Sequence, residues 1–359
     1  MSGSLMGKVF SVMNWGESHG SAVGAVVDGC PAGLSLSVAD IQPALDRRRP
    51  GQSHLVTQRK ELDRVQILSG TVGGVTTGTP ISLLIPNEDQ RSKDYSNLES
   101  LYRPSHADFT YQQKYGIRDV AGGGRSSARV TAGWVAAGAI AQKILHLNGI
   151  QITAWVEQVG DIRLSIEKDS VTLAMVESSA TRCPDTQVAL LMEQKILQTR
   201  KQGESIGGIV RCYIKHLPVG LGQPIYDKLE AELAKAMLSI NASKGFEIGS
   251  GFEGVKMTGS AHNDIFIHNN GRIETQTNYS GGIQGGISNG MPLDFAVAFK
   301  PTATILKPQK TLDLNGQEQT LQVHGRHDPC VVPRAVPIVE AMTALVICDQ
   351  FLQNKLSKL

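Results

Sequence analysis

The segment from Ala128 to Leu147 constrains the fold most. It is rich in alanine, carries Val130, Val135, Ile140, Ile144 and Leu145, and stops before Asn148-Gly149, a pair suited to ending a helix. Between the larger residues lie Ala132, Gly133, Ala136, Ala137, Gly138 and Ala139. Side chains this small suit close packing on several sides. The segment reads as a buried helix with the rest of the chain packed around it.

Lys8 to Val12 is strand-like. Val23 to Val27 reads as a short buried strand ending at the turn Asp28-Gly29-Cys30-Pro31. Ser37 reads as the cap of a helix over Val38 to Leu45. Arg47 to Lys60 reads as irregular and basic. Val65 to Leu68 and Ile81 to Ile85 read as strands with glycine-rich turns between them. Residues 161–205 are more polar, with helix-like pieces around Val188 to Lys201. Gln223 to Ile240 reads as an amphipathic helix whose face holds Leu229, Leu233, Ala236, Met237 and Ile240. Ala296 to Phe299 is strand-like. The last long helix runs from about Pro333 to Leu352, with Pro337 early in it, where proline is better tolerated. Strands and helices mix without strict alternation, so the expected class is α+β and not a doubly wound sheet. No repeat or low-complexity linker divides the chain, and residues 1–359 read as one domain.

Hydrophobic residues at 41% and charged residues at 19% fit a soluble protein with a substantial core. The net charge of +2 argues against a general nucleic-acid binder. Cys30, Cys183, Cys212, Cys330 and Cys348 are scattered and odd in number, without a C-x-x-C pair. They indicate neither a disulfide framework nor a zinc site, and no metal is expected. No leader peptide is recognisable and no apolar run reaches membrane-spanning length, so a cytoplasmic protein without a membrane partner is expected.

Four loops carry candidate chemistry. Trp15-Gly16-Glu17-Ser18-His19-Gly20 holds a histidine and a serine between glycines, where backbone can turn tightly and a ligand can come close. A histidine there transfers protons near neutral pH. Arg103-Pro104-Ser105-His106-Ala107-Asp108, Gly122 to Arg129 and Gly325-Arg326-His327-Asp328-Pro329 repeat the theme. Together they point to a composite site assembled from distant loops. Arg47-Arg48-Arg49-Pro50-Gly51-Gln52-Ser53-His54 through Arg59-Lys60 is either a solvated face or an ordered basic loop for a phosphorylated or polycarboxylate substrate. Gly122 to Arg129 is either a plain turn with a serine cap or an anion site at the start of the buried helix. The glycines within Asn278 to Gly290 suit a flat ligand edge or a simple turn. Lys300-Pro301-Thr302-Ala303-Thr304 offers a cation and hydroxyls after a strand. Asp328 beside His327 and Arg326 reads as catalytic or as a buried Asp–Arg pair.

Taken together, these segments resemble the chorismate synthase family. Gly16-Glu17-Ser18-His19-Gly20 through Val27-Asp28-Gly29-Cys30-Pro31 is similar to its N-terminal signature, Gly124-Arg125-Ser126-Ser127-Ala128-Arg129 to the middle one, and Arg326-His327-Asp328-Pro329-Cys330 through Glu340-Ala341-Met342 to the C-terminal one. Ser239-Ile240-Asn241-Ala242 and Lys300-Pro301-Thr302 also look like family positions. The resemblance runs from about residue 7 to 352, and residues 161–205 carry no motif. It implies a β-α-β sandwich with helices between two largely antiparallel sheets, and a homotetramer. The implied reaction is a 1,4-anti elimination of phosphate and the C6 proton from 5-enolpyruvylshikimate 3-phosphate. It gives chorismate, at the last common step of the shikimate pathway to aromatic amino acids, and needs reduced FMN (FMNH2). By the resemblance, His19 protonates the departing phosphate, His106 stabilises the reduced flavin anion and Asp328 helps shuttle a proton. FMN contacts fall on Arg125, Ser126, Ser127, Asn241, Ala242, Gly285, Lys300, Pro301, Thr302, Ala303, Thr304 and Arg326. Substrate contacts fall on His19, Arg48, Arg129 and position 54, which is usually arginine in the family and is His54 here. The chain has no obvious insert for NADPH-driven flavin reduction. The monofunctional type is therefore expected, supplied by an external flavin reductase or an NADPH-dependent system. Without the resemblance, the same loops also fit a phosphosugar-binding transferase lacking flavin, or a nucleic-acid module built on Arg47 to Lys60.

Overall fold

Two antiparallel five-stranded sheets enclose two long helices. The computed structural model describes residues 3–56, 61–88, 99–120, 122–322 and 328–358. The first sheet has the spatial order Leu5–Met6, Ser11–Gly16, Ala22–Asp28, Ile81–Pro86 and Gln66–Ile67. The second runs Ser243–Ile248, Leu293–Phe299, Gly208–Lys215, Gln151–Val159 and Ile162–Arg163. The helix Thr131–Leu147 packs on the first sheet through Ala22–Asp28 and Ile81–Pro86. The helix Val332–Asn354 packs on the second through Gln151–Val159 and Gly208–Lys215, and the two helices pack on each other. This is the α+β sandwich expected.

Small residues make the central contact possible. A Cβ on Gly138 would lie 2.5 Å from the Ala341 Cβ, so the two helix backbones touch where glycine faces alanine. Ile140, Val135 and Leu145 fill the space around that contact and are fully buried. Truncating one such side chain, as in Ile140→Ala, costs about 2–5 kcal/mol. The first turn of this helix is a 3-10 segment, Ala128–Val130, capped by the Ser127 hydroxyl accepting from the Arg129 N–H.

Other elements shift from their expected bounds for local reasons. The strand expected over Lys8 to Val12 begins at Ser11 and runs to Gly16. The backbone N–H groups of Lys8, Val9 and Phe10 donate instead to the Asp349 carboxylate at 2.7–3.1 Å, which ties this segment to the C-terminal helix. The first helix is Val38–Arg48. Ser37 caps it, with the Asp40 carboxylate accepting the Ser37 N–H at 2.8 Å. Arg47 and Arg48, expected in an irregular stretch, form its last turn, where cations complement the helix dipole. The helix in the polar region starts at Thr186, two residues early, because Asp185 accepts the Val188 N–H. The amphipathic helix expected from Gln223 spans Leu229–Leu238 only. Ahead of it, Gln223 closes a turn on Asp227, and the Leu229 N–H donates to the Gly286 carbonyl. The strand expected over Ala296 to Phe299 begins at Leu293. The C-terminal helix is long and apolar enough to cross a membrane by length and composition, contrary to the expectation that no run reaches that length. It is instead sheathed by protein, with 94% of that stretch buried.

Candidate active site

The Trp15–Gly20 segment begins in the strand Ser11–Gly16 and leaves it as a loop after Gly16, where Arg125 clamps it. Arg125 Nη1 donates to Asn14 Oδ1 at 2.8 Å and to the Gly16 carbonyl at 2.9 Å, and Nη2 donates to the Asn14 carbonyl at 2.9 Å. Asn14 in turn donates to the Val130 carbonyl at 3.1 Å. The N-terminal loop is thus locked to the start of the central helix. Ser18 Oγ lies 3.1 Å from His19 Nδ1. Gly122 passes directly over the histidine: a Cβ there would stand 2.2 Å from His19 Cε1, and its φ of +73° is one that side-chain-bearing residues rarely take.

Behind this loop lies a buried cluster of arginines. Arg48 Nη1 donates to Asp63 Oδ2 at 2.6 Å, and Arg129 Nη1 donates to Asp63 Oδ1. Arg48 also reaches Thr131 Oγ1 at 3.1 Å and the Ala128 carbonyl at 3.0 Å. Arg129 also reaches Asn87 Oδ1 at 2.8 Å and the Pro86 carbonyl at 3.0 Å. Asn87 closes the circle by donating to the carbonyls of Glu17 and Gly20 at 3.0 and 2.7 Å. Burial alone would raise the Asp63 carboxyl, but Arg48 and Arg129 outweigh it and hold it below its ordinary value. Burial pulls Arg48 down to about 10, helped by Arg334 and Arg129 and opposed by Asp63. Two guanidiniums share the Asp63 carboxylate, and Arg129 also lies 4.0 Å from the buried Glu61 carboxylate, so the four charges balance within the cluster.

The second half of the site joins the loop before the helix Asp108–Tyr115 to segments flanking strands of the other sheet. His106 Nδ1 lies 2.9 Å from the Pro104 carbonyl and Nε2 lies 3.0 Å from Thr304 Oγ1. A carbonyl only accepts, so Nδ1 carries the proton and Nε2 accepts from the threonine hydroxyl. Burial, then Arg103, lowers the His106 pKa, which favours this neutral form. Lys300 Nζ donates to the Ser105 carbonyl at 3.2 Å, and its backbone N–H donates to the Ala242 carbonyl at 3.0 Å. Burial lowers the Lys300 ammonium, and the neighbouring Lys244 adds to the effect. Ala242 holds a φ of +67°, unusual for a residue with a Cβ. Asn241 Nδ2 donates to the Ser126 carbonyl at 2.8 Å, which joins the two halves. Thr302 Oγ1 donates to the Asp328 carbonyl at 2.9 Å, and Arg334 Nη1 donates to Asp328 Oδ2 at 2.5 Å.

A path of hydrogen bonds and adjacent backbone therefore runs from Asn14 through Arg125, Ser126, Asn241, Ala242, Lys300 and Ser105. His106 joins it at Thr304, in the same stretch as Lys300 and Thr302, and Asp328 joins at Thr302. The family model described as chorismate synthase matches residues 10–352.

The chain belongs to the chorismate synthase family.

A chorismate synthase from Opitutus terrae is 58% identical over 349 residues, covering 97% of this chain and 96% of that protein. One from Christiangramia forsetii is 56% identical over 359 residues, covering all of both. A crystal structure of chorismate synthase superposes with a TM-score of 0.76 at 31% identity, over 97% of this chain and 93% of that one. As a member of the chorismate synthase family the chain is a carbon–oxygen lyase of the shikimate pathway, releasing phosphate from 5-enolpyruvylshikimate 3-phosphate to form chorismate.

Within that family frame the expected residues divide. His19, Arg48, Arg125, Ser126, Ser127 and Arg129 gather around the start of the central helix. His106, Asn241, Ala242, Lys300 to Thr304 and Asp328 gather around the end of the strand Leu293–Phe299. Arg125 spends its guanidinium largely on holding the N-terminal loop. Gly285 lies in the hairpin of Ile283–Gln284 and Ile287–Ser288, with open space where a Cβ would stand. His54 is exposed and pairs with Glu193 at 2.7 Å. Arg326, His327, Arg59 and Lys60 lie outside the described residues. Asp63, Asn87 and Arg334 were not expected. Asp63 stands in the charged run Lys60-Glu61-Leu62-Asp63-Arg64, and only its buried backbone at φ +49° sets it apart.

Proposed function

We propose that the site binds 5-enolpyruvylshikimate 3-phosphate and reduced FMN together and carries out the 1,4-anti elimination with this chain's own acid–base groups. The observation that supports this most is the pair of guanidiniums, Arg48 and Arg129, fixed on Asp63 behind the His19 loop, whose donors suit a substrate bearing a phosphate and two carboxylates. Remaining N–H groups of both arginines hold those anions. His19 gives a proton to the departing phosphate, and Asp328, set by Arg334, accepts and passes on the proton lost from C6.

The residues present fit the flavin. Asn241 Oδ1 is buried without a hydrogen-bond partner, while its Nδ2 is fixed by Ser126. That leaves an acceptor for a ring N–H. Ser127 and Lys300 offer donors for its phosphate, and the Thr302 and Thr304 hydroxyl oxygens offer acceptors for its ribityl hydroxyls; Ser126, Ala242, Gly285, Pro301, Ala303 and Arg326 complete the proposed contacts. When bound, the reduced flavin supplies electron density near the bonds that break. His106 presents its Nδ1–H and Nε2 in a fixed tautomer beside that place, and Arg125 keeps the Ser126–Ser127 turn against the His19 loop.

Reducing equivalents then come from a separate flavin reductase or an NADPH-dependent system. We read residues 1–359 as one domain of a cytoplasmic homotetramer without nucleic-acid or membrane partners. Exposed Phe252, Val255, Phe266 and Ile273, around the hairpin Phe266–Asn269 and Arg272–Thr275, support assembly with other copies. Calorimetry tests the shared site. FMN affinity should rise at least about fivefold with substrate present, within the usual range of coupling between sites. Equal affinity with and without substrate contradicts it.

A further inference from the structure

We propose that Arg182, in the polar region that carries no motif, is a positioning residue that sets the distance between Arg48 and Asp328. Its backbone is fixed to the second sheet, where its carbonyl accepts the Val156 N–H at 3.0 Å. It sits at φ +58°, a costly state for a residue with a long side chain, and is buried. Backbone strain of this kind persists only where the surroundings enforce it.

The guanidinium points at two backbone roots. Nη2 donates to the Arg47 carbonyl at 2.7 Å and to Gln52 Oε1 at 3.0 Å. Nη1 donates to the Pro333 carbonyl at 2.6 Å. Each of these carbonyls belongs to the residue just before a site arginine, Arg48 in one case and Arg334 in the other. Arg48 holds Asp63, and Arg334 holds Asp328. The Pro333 carbonyl has a specific need for this partner. Its helical donor would be the N–H of residue 337, and Pro337 has none. Arg182 fills that gap from another element. Glu177 completes the arrangement by accepting from Arg182 Nε at 3.0 Å and from Arg47 Nε at 2.9 Å. Burial alone would raise Glu177, and Arg182 and Arg47 together hold it below its ordinary value.

One planar group therefore braces the end of the helix Val38–Arg48 against the start of the helix Val332–Asn354. Arg182 matters to turnover in this way only if Arg48 and Asp328 serve the substrate as proposed above. A lysine cannot reproduce the fork, since it presents one compact donor and not two edges.

The test compares wild type, Arg182→Lys, Arg182→Ala and Gln52→Ala with saturating reduced FMN. In Arg182→Ala, kcat/KM for substrate should fall roughly 10- to 100-fold, the scale of a small displacement of reacting groups. FMN affinity should stay within about twofold, since Arg182 itself hydrogen-bonds none of the FMN-contact residues. Arg182→Lys should recover part of the loss, and Gln52→Ala should lose a smaller part. The Arg182→Ala penalty should shrink in an Asp328→Asn background, because the two act on one arrangement. Normal kcat and KM in folded Arg182→Ala, or a penalty unchanged by Asp328→Asn, would overturn the proposal in favour of a purely structural arginine. Should Arg182→Ala fail to fold, Arg182→Lys and Gln52→Ala decide, and normal kinetics in both overturn it. An inactive wild type would instead sink the reading of the site on which it stands.

Discussion

Arg48 and Asp63 form an ion pair at 2.6 Å in which both side chains are shut off from solvent. Arg129 shares the same carboxylate. Removing the carboxylate leaves two buried guanidiniums with the Glu61 carboxylate, 4.0 Å from Arg129, to offset them. Asp63→Ala should therefore cost about 3–5 kcal/mol of unfolding free energy, the usual penalty for breaking a buried pair from one side. Because the folded Asp63 pKa lies below the unfolded value, its stabilisation is complete above about pH 4 and is lost as pH falls through the folded value. Urea titrations at neutral and acid pH check both statements. A loss below about 1 kcal/mol at neutral pH contradicts the first.

His19 and His106 occupy opposite halves of the site, and turnover should depend on both. His19→Ala should lower kcat roughly 10²- to 10⁴-fold with flavin still bound, as for a positioned proton donor. His106→Ala should lower turnover on the same scale. Thr304→Val removes the hydroxyl that fixes the His106 tautomer and should reproduce part of that loss. NMR titration of His106 should find its pKa below the ordinary 6.5, with burial as the main cause. Near-normal rates in both histidine variants would remove these roles.

His54 stands where the family usually has arginine, and its ring is engaged by Glu193. It meets a substrate anion only by giving up that carboxylate. Glu193→Gln weakens the competitor and should lower KM for substrate by up to about fivefold, the scale of an exposed ion pair. An unchanged KM would assign His54 to a surface pair and leave the substrate to Arg48 and Arg129.

The layers of the fold were legible because they follow from side-chain size and periodicity. Ala128 to Leu147 could only be a helix packed on several faces, and the strands at Val23 and Ile81 were short, mostly apolar runs bounded by turn residues. Helix ends were less legible. The start of the amphipathic helix depends on Gly286, and the end of the first strand's lead-in depends on Asp349, partners more than fifty residues away in each case. The signature loops were legible from their glycines and histidines. Asp63, Asn87 and Arg182 were not, because an ordinary polar residue in a loop announces nothing until the fold brings two arginines or two carbonyls to it.

All five cysteines are buried. Burial pushes the Cys30 and Cys183 thiols up to about 11 and Cys330 to about 12. Thiolate is the reactive form. A thiol reagent at neutral pH should modify none of them in the native protein and all five after denaturation. Rapid native labelling of any one would show that its surroundings open.

The central claim is that this loop surface performs the family's elimination with reduced flavin. An anaerobic assay with purified protein, 5-enolpyruvylshikimate 3-phosphate and FMN tests it most directly, run once with the flavin reduced and once with it oxidised. The account predicts chorismate and phosphate in equal amounts with reduced flavin and none with oxidised flavin. Equal turnover in both arms, or no phosphate release with reduced flavin, would contradict it.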